Sequence, residues 1–138
     1  MAGERDHVCA VAEDFHSVEG LRVEVEEVLH MPHLEAPADR PHPFVYFISI
    51  INDSSRTVKI SGRKWVLRDQ AGEVTIVEGE GVVGEKPILE PGKRFSYNSY
   101  HVIKLETEVS GSFFGTDSEG GRIRVSIPGF RLKVPGDL

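Results

Sequence analysis

Two groups of residues in this chain have types and spacings that could do chemistry. In GEGVVGEKPILEPG, residues 79–92, Gly79, Gly81 and Gly84 have the spacing G-x-G-x-x-G. After a strand and at the opening of a helix, that spacing sets phosphate groups against main-chain amides. Arg63 and Lys64 could add two cations to such a cradle and hold a diphosphate. These five residues form the candidate ligand or partner site. The second group is His30, His33 and His42, whose imidazoles could share a divalent ion. Pro32 hinders the first two from converging and no cysteine joins them, so no metal site is assigned. Ser99 and His101, two apart, would share one face of a strand without an orienting carboxylate in an evident place. Cys9, the single cysteine, sits among polar residues with nothing to lower its pKa. No catalytic set emerges, so the expectation is a protein that is not an enzyme and uses no cofactor.

What these residues can do depends on the elements that carry them. Residues 21–28, LRVEVEEV, alternate apolar and charged, the pattern of a strand with one wet face. Four prolines within residues 31–43 mark a long surface loop. FVYFISIIND, residues 44–53, is apolar at nearly every position and reads as a central strand covered on both faces. TVKISGRKWVLRD follows a turn at residues 52–56, and Gly62 shifts its alternation by one, as a bulge does. Trp65 then falls on the core side, and Phe113, Phe114 and Phe130 are read as core as well. VTIV (74–77), RFSYNSY (94–100), residues 108–115, RIRVSIP (122–128) and FRLKV (130–134) complete about eight strands, with turn residues between them and no helical period. The economical architecture is an all-β sandwich.

Within that architecture the glycine motif loses its phosphate reading. The strand at 74–77 precedes it, but Pro87 and Pro91 stand where the helix would have to run. A proline in a helix interior costs about 3 kcal/mol. The glycines are therefore expected to serve turns and bulges, with a nucleotide or diphosphate site as the alternative.

Charge narrows the partners. The net charge is −6, yet residues 1–40 carry ten acids and three bases while the rest carry twelve and thirteen. A near-neutral body lacks the basic face that nucleic acid requires. The first twenty residues hold no apolar run of signal-peptide length, and no later segment is long enough to span a bilayer as a helix. A cytoplasmic protein with a protein partner, and no nucleic-acid or membrane partner, is the expectation. Residues 1–17 are expected as a flexible acidic segment and 18–138 as one folded domain.

The order SGRKW, GEGVVGEKPILEPG, FSYNS, GSFFG, IPGFRL closely resembles the ApaG family over about residues 18–135. The resemblance implies an immunoglobulin or fibronectin type III-like sandwich. It also implies a binding module linked in bacteria to cobalt resistance and magnesium efflux, and so to cation homeostasis or stress.

Overall fold

The computed structural model describes residues 15–135, and within them every regular element is a strand. The chain runs through β1 (Phe15–His16), β2 (Leu21–His30), β3 (His42–Asn52), β4 (Val58–Asp69), β5 (Val74–Glu80), β6 (Ile88–Leu89), β7 (Lys93–Ile103), β8 (Thr107–Asp117) and β9 (Arg122–Leu132). Three antiparallel strands in the order β2-β3-β7 form one sheet. The other runs β1-β9-β8-β4-β5, with β6 also paired to β4 and β1 parallel to β9. Two sheets packed face to face are the sandwich expected from the strand pattern. Of the expected acidic segment, residues 1–14, Cys9 included, lie outside the described residues; Phe15 and His16 pair with Arg122 and Ile123.

Alternation decides which side chains fill the space between the sheets. Tyr46, Ile48 and Ile50 of β3 meet Ile60, Trp65, Phe113, Ile123, Ile127 and Leu132 of the larger sheet in one buried cluster. Burial at about 25 cal/mol per Å2 of apolar surface makes this cluster the main source of stability. β3, expected to be covered on both faces, is buried on its inner face, while Val45 and Phe47 of the outer face remain partly exposed. Its place between β2 and β7 supplies the shielding there: Ser49 is fully buried on the outer face, its Oγ 2.7 Å from Ser96 Oγ. Phe113 is core, but Phe114, one residue on, points to the opposite face and takes an edge contact from Phe15 at 5.2 Å. Phe130 is only partly buried and packs against the core cluster.

Bulges set the register. β4 shifts between Ile60 and Gly62 against β8, where the sequence placed a bulge, and that shift turns Trp65 and Leu67 into the core. The two strands expected at 122–128 and 130–134 are one strand, β9. Its pairing with β8 slips between Val109 and Gly111, leaving Pro128 and Gly129 outside the ladder, so the proline breaks no inter-strand bond. At Gly115 the sheet comes so close that a Cβ would stand 1.8 Å from the Lys59 carbonyl oxygen. Asn52, fully buried, donates its amide to the carbonyls of Arg56 and Leu89, both at 2.8 Å, tying the β3–β4 turn to β6.

Candidate functional site

The glycine-rich stretch is a detour in the border strand of the larger sheet. β5 pairs with β4 over residues 62–68, and β6 pairs with the same strand at Val58 and Lys59. Both run antiparallel to β4, so residues 81–87 leave and rejoin one line. The N–H of Gly81 donates to Ser61 O at 2.8 Å, and Pro87 O accepts from Ile60 N at 2.9 Å. Between these anchors Val82 and Glu85 exchange main-chain bonds of 2.7 and 3.0 Å, closing a two-residue turn at Val83 and Gly84. Both turn residues have positive φ, 43° and 82°, as a type I′ hairpin turn requires. Val82 is fully buried, whereas Val83 is exposed in a conformation that β-branched residues rarely adopt. No helix follows Gly84. The amides of Gly81, Val82 and Glu85 all donate to main-chain carbonyls.

Arg63 and Lys64, neighbours in β4, lie on opposite faces of the sheet. Arg63 sits across from Gly79 on the inner side, in step with Trp65 and Leu67, and Lys64 sits across from Glu78 on the outer side. The Arg63 guanidinium lies over Gly79, where a Cβ would stand 2.9 Å from its nitrogens. From there it donates to Glu80 O at 2.8 Å and Gly81 O at 3.1 Å. Arg63, Gly79 and Gly81 are thus brought together in a buttress for the border strand. Gly84 stands out at the turn with open space around it, and Lys64 does not join them.

Next to this buttress, on the inner face of the border strand, lies a cleft of about 680 Å3 between β5 and β7. Leu67, Thr75 and Val77 form one wall, His101 and Ile103 the other, and Pro37 and Arg40 of the proline-rich loop stand at its mouth. Its rim carries Glu35, Asp39, Asp69 and Glu73 against Arg40 and Lys104. Behind it Trp65 is ringed by aromatic groups, with Tyr46 at 5.1 Å and His101 at 5.3 Å. The Tyr46 hydroxyl and His101 Nε2 are 3.1 Å apart and hydrogen-bonded, and burial pushes the His101 imidazole down to about 4, so it is neutral at pH 7. Burial raises Tyr46 to about 12, offset in part by a hydrogen bond from Ser99 and by the charge of Arg63. Tyr97 is raised chiefly by burial too, and its hydroxyl is shielded without a hydrogen-bond partner among the described residues. The pair is a neutral imidazole held by a protonated phenol at the back of the cleft. The cleft was missed in the sequence because its walls come from separate strands and a loop.

The histidines divide. His30 and His42 come within 5.6 Å of each other, and His30 also rests on the Phe44 ring at 4.9 Å. Burial, and then the charge of His42, lower the His30 pKa. No group of three metal-ligating side chains gathers among the described residues. No helix there is long and apolar enough to cross a membrane.

Comparison with known proteins places this geometry in a family. A family model described as the ApaG domain matches residues 32–116. Protein ApaG of Aromatoleum aromaticum is 38% identical over 121 residues, covering 85% of this chain and 94% of the relative. Protein ApaG of Pectobacterium carotovorum is 40% identical over 100 residues, 72% of this chain and 80% of the relative. An X-ray structure of a structural-genomics target superposes with a TM-score of 0.77 at 32% identity, covering 86% of this chain and 90% of that one. A crystal structure from Bordetella pertussis superposes with a TM-score of 0.75 at 28% identity, covering 86% and 98%.

Proposed function

The chain belongs to the ApaG domain family, and on that premise we propose that it is a non-catalytic binding module whose partner is another protein. Support comes from where the apolar surface lies. Of the eight large hydrophobic side chains exposed among the described residues, Val74, Ile76, Val77, Val83 and Ile88 all lie on the border formed by β5, the turn and β6. Exposed apolar residues scattered singly need no explanation, whereas five along one border, Val74 and Ile76 on one face of β5 and Val77 on the other, support a contact surface there. Pairing with β4 along residues 58–59 and 62–68 holds that border on the sandwich, which suits recognition without a change of shape. The cobalt and magnesium link implied by the family resemblance would then describe the process in which the partner acts, in the cytoplasm.

Affinity capture from the native cell tests this reading. The full chain is compared with an Ile76→Asp/Ile88→Asp variant of unchanged melting temperature. A protein retained by the parent and lost by the variant is the expected result. Identical captured sets, or none above background, would count against it.

A further inference from the structure

Among the described residues no strand pairs with the outer side of the border strand, and its main-chain direction can be read residue by residue. Glu73 O accepts from the N–H of Asp69 and the N–H of Gly81 donates to Ser61 O, so both residues turn toward β4. The pairing between them, from Arg68↔Val74 to Gly62↔Glu80, has no register shift. Odd-numbered residues of β5 therefore face β4, and Val74, Ile76 and Glu78 direct their N–H and C=O groups to the free edge. At the far end Arg63 reaches across Gly79 and donates to Glu80 O, which closes the edge there. What stays open is a short row from Val74 to Glu78, with Ile76 55% exposed in the middle. An unblunted edge of this kind is a template for another strand.

Charge selects the occupant. Residues 69–85 contain five acids, Asp69, Glu73, Glu78, Glu80 and Glu85, and no base. A second copy paired about Ile76 would set Glu78 opposite Val74 and Glu73 opposite Gly79, gathering the acids of both chains along one seam. The cleft under the same strand has four carboxylates on its rim against two bases. A strand added beyond Val74–Glu78 would cover the mouth of that cleft, and its inward side chains would meet Pro37, Asp39 and Tyr100. We infer that β5 accepts an extended segment of a partner protein as an additional strand, one in which basic residues alternate with apolar ones. Main-chain bonds to Val74, Ile76 and Glu78 give attachment, and the acids on the rim choose lysine or arginine. This rests on the protein-binding reading and gives it a location and a partner chemistry.

The probe is a library of random twelve-residue peptides displayed on phage and selected against the full chain, the enriched sequences then being synthesised. Enrichment of alternating basic and apolar peptides is expected. Adding such a peptide should slow hydrogen exchange at the amides of Val74, Ile76 and Glu78 at least tenfold, and Ile76→Pro should weaken binding at least tenfold. That proline removes an outward N–H and leaves the β4 ladder intact. The exchange measurement uses the unaltered protein, so it decides even where the proline variant fails to fold. Asp39→Lys/Glu73→Lys should lower affinity at least fivefold. Enriched peptides that bind without protecting these amides would overturn the edge assignment and leave the binding-module reading standing. Acidic or neutral consensus sequences would overturn the partner chemistry. No enrichment at all would overturn the inference, and if no partner were captured from cells either, the binding-module reading would fall with it.

Discussion

Acidifying this protein should cost it stability through one side chain, His101. The imidazole is largely enclosed by Tyr46, Trp65 and the cleft wall, and burial holds its pKa at about 4 against 6.5 when free. In the folded protein it stays neutral as the pH falls, while in the unfolded chain it takes up a proton from about 6.5 downward. Its contribution is therefore complete above pH 6.5, declines as the pH drops toward 4, and changes no further below that. At 1.36 kcal/mol per pKa unit the difference amounts to about 3 kcal/mol, a large share of the 5 to 15 kcal/mol typical of a domain. Urea unfolding at pH 7.5, 6.5, 5.5 and 4.5 measures it, with His101→Gln as the reference. His30, shifted in the same direction, and Asp117, held low mainly by the Gly121 amide, are present in both proteins and cancel. The parent should lose about 2 to 3 kcal/mol more than the variant between pH 7.5 and 4.5. Parallel curves, or a His101 ring resonance titrating near 6.5 in the folded protein, would refute the reasoning.

Further outcomes can be checked by the same unfolding assay. Trp65→Ala removes a ring that is 3% exposed and packed on Tyr46, so a loss of about 3 to 5 kcal/mol is expected; a loss under 1 kcal/mol would mean the site collapses around the gap. Val83→Asn converts the turn to Asn-Gly, the preferred type I′ pair, and relieves a valine held at φ 43°, so the unfolding free energy should rise by about 1 kcal/mol. A fall would show that Val83 makes a stabilising contact. Gly115→Ala should cost about 3 kcal/mol or prevent folding, because its Cβ would press on Lys59 O. Gly62→Ala, whose Cβ would meet only Gly79 O at 3.5 Å, should cost less than about 1 kcal/mol. Equal losses at the two glycines would break the link between cross-strand approach and stability.

Much of the fold was legible because side chains in strands alternate with a period of two. Val23, Trp65, Ile123 and Val125 all face the core as their spacing requires, and Gly62 marks the bulge that keeps Trp65 inward. Alternation was silent on short elements: β1 and β6, two residues each, carry no pattern of their own and exist through Phe15 on Phe114 and Leu89 in the core. It also misled at Pro128, which reads as a strand end until a slip in the β8 pairing is known. The candidate site was legible only in part. Gly81 and Gly84 adopt the left-handed conformations that a turn needs, but Gly79 does not. Its role, room for the Arg63 guanidinium, depends on which face Arg63 takes after the bulge. The cleft lay beyond reach, since Leu67, Val77 and His101 meet only when two sheets are stacked.

The detour between β5 and β6 makes the molecule modular at one point. The chain leaves the border at Gly81, bonded to Ser61, and returns at Pro87, bonded to Ile60, so consecutive residues of β4 hold both ends. Whatever is spliced in place of Val83 and Gly84 starts and finishes at fixed positions, and doubling the length of such an insert costs only about 0.6 kcal/mol. Foreign recognition sequences could be grafted here and carried by an unaltered sandwich, much as antibody domains carry their variable loops.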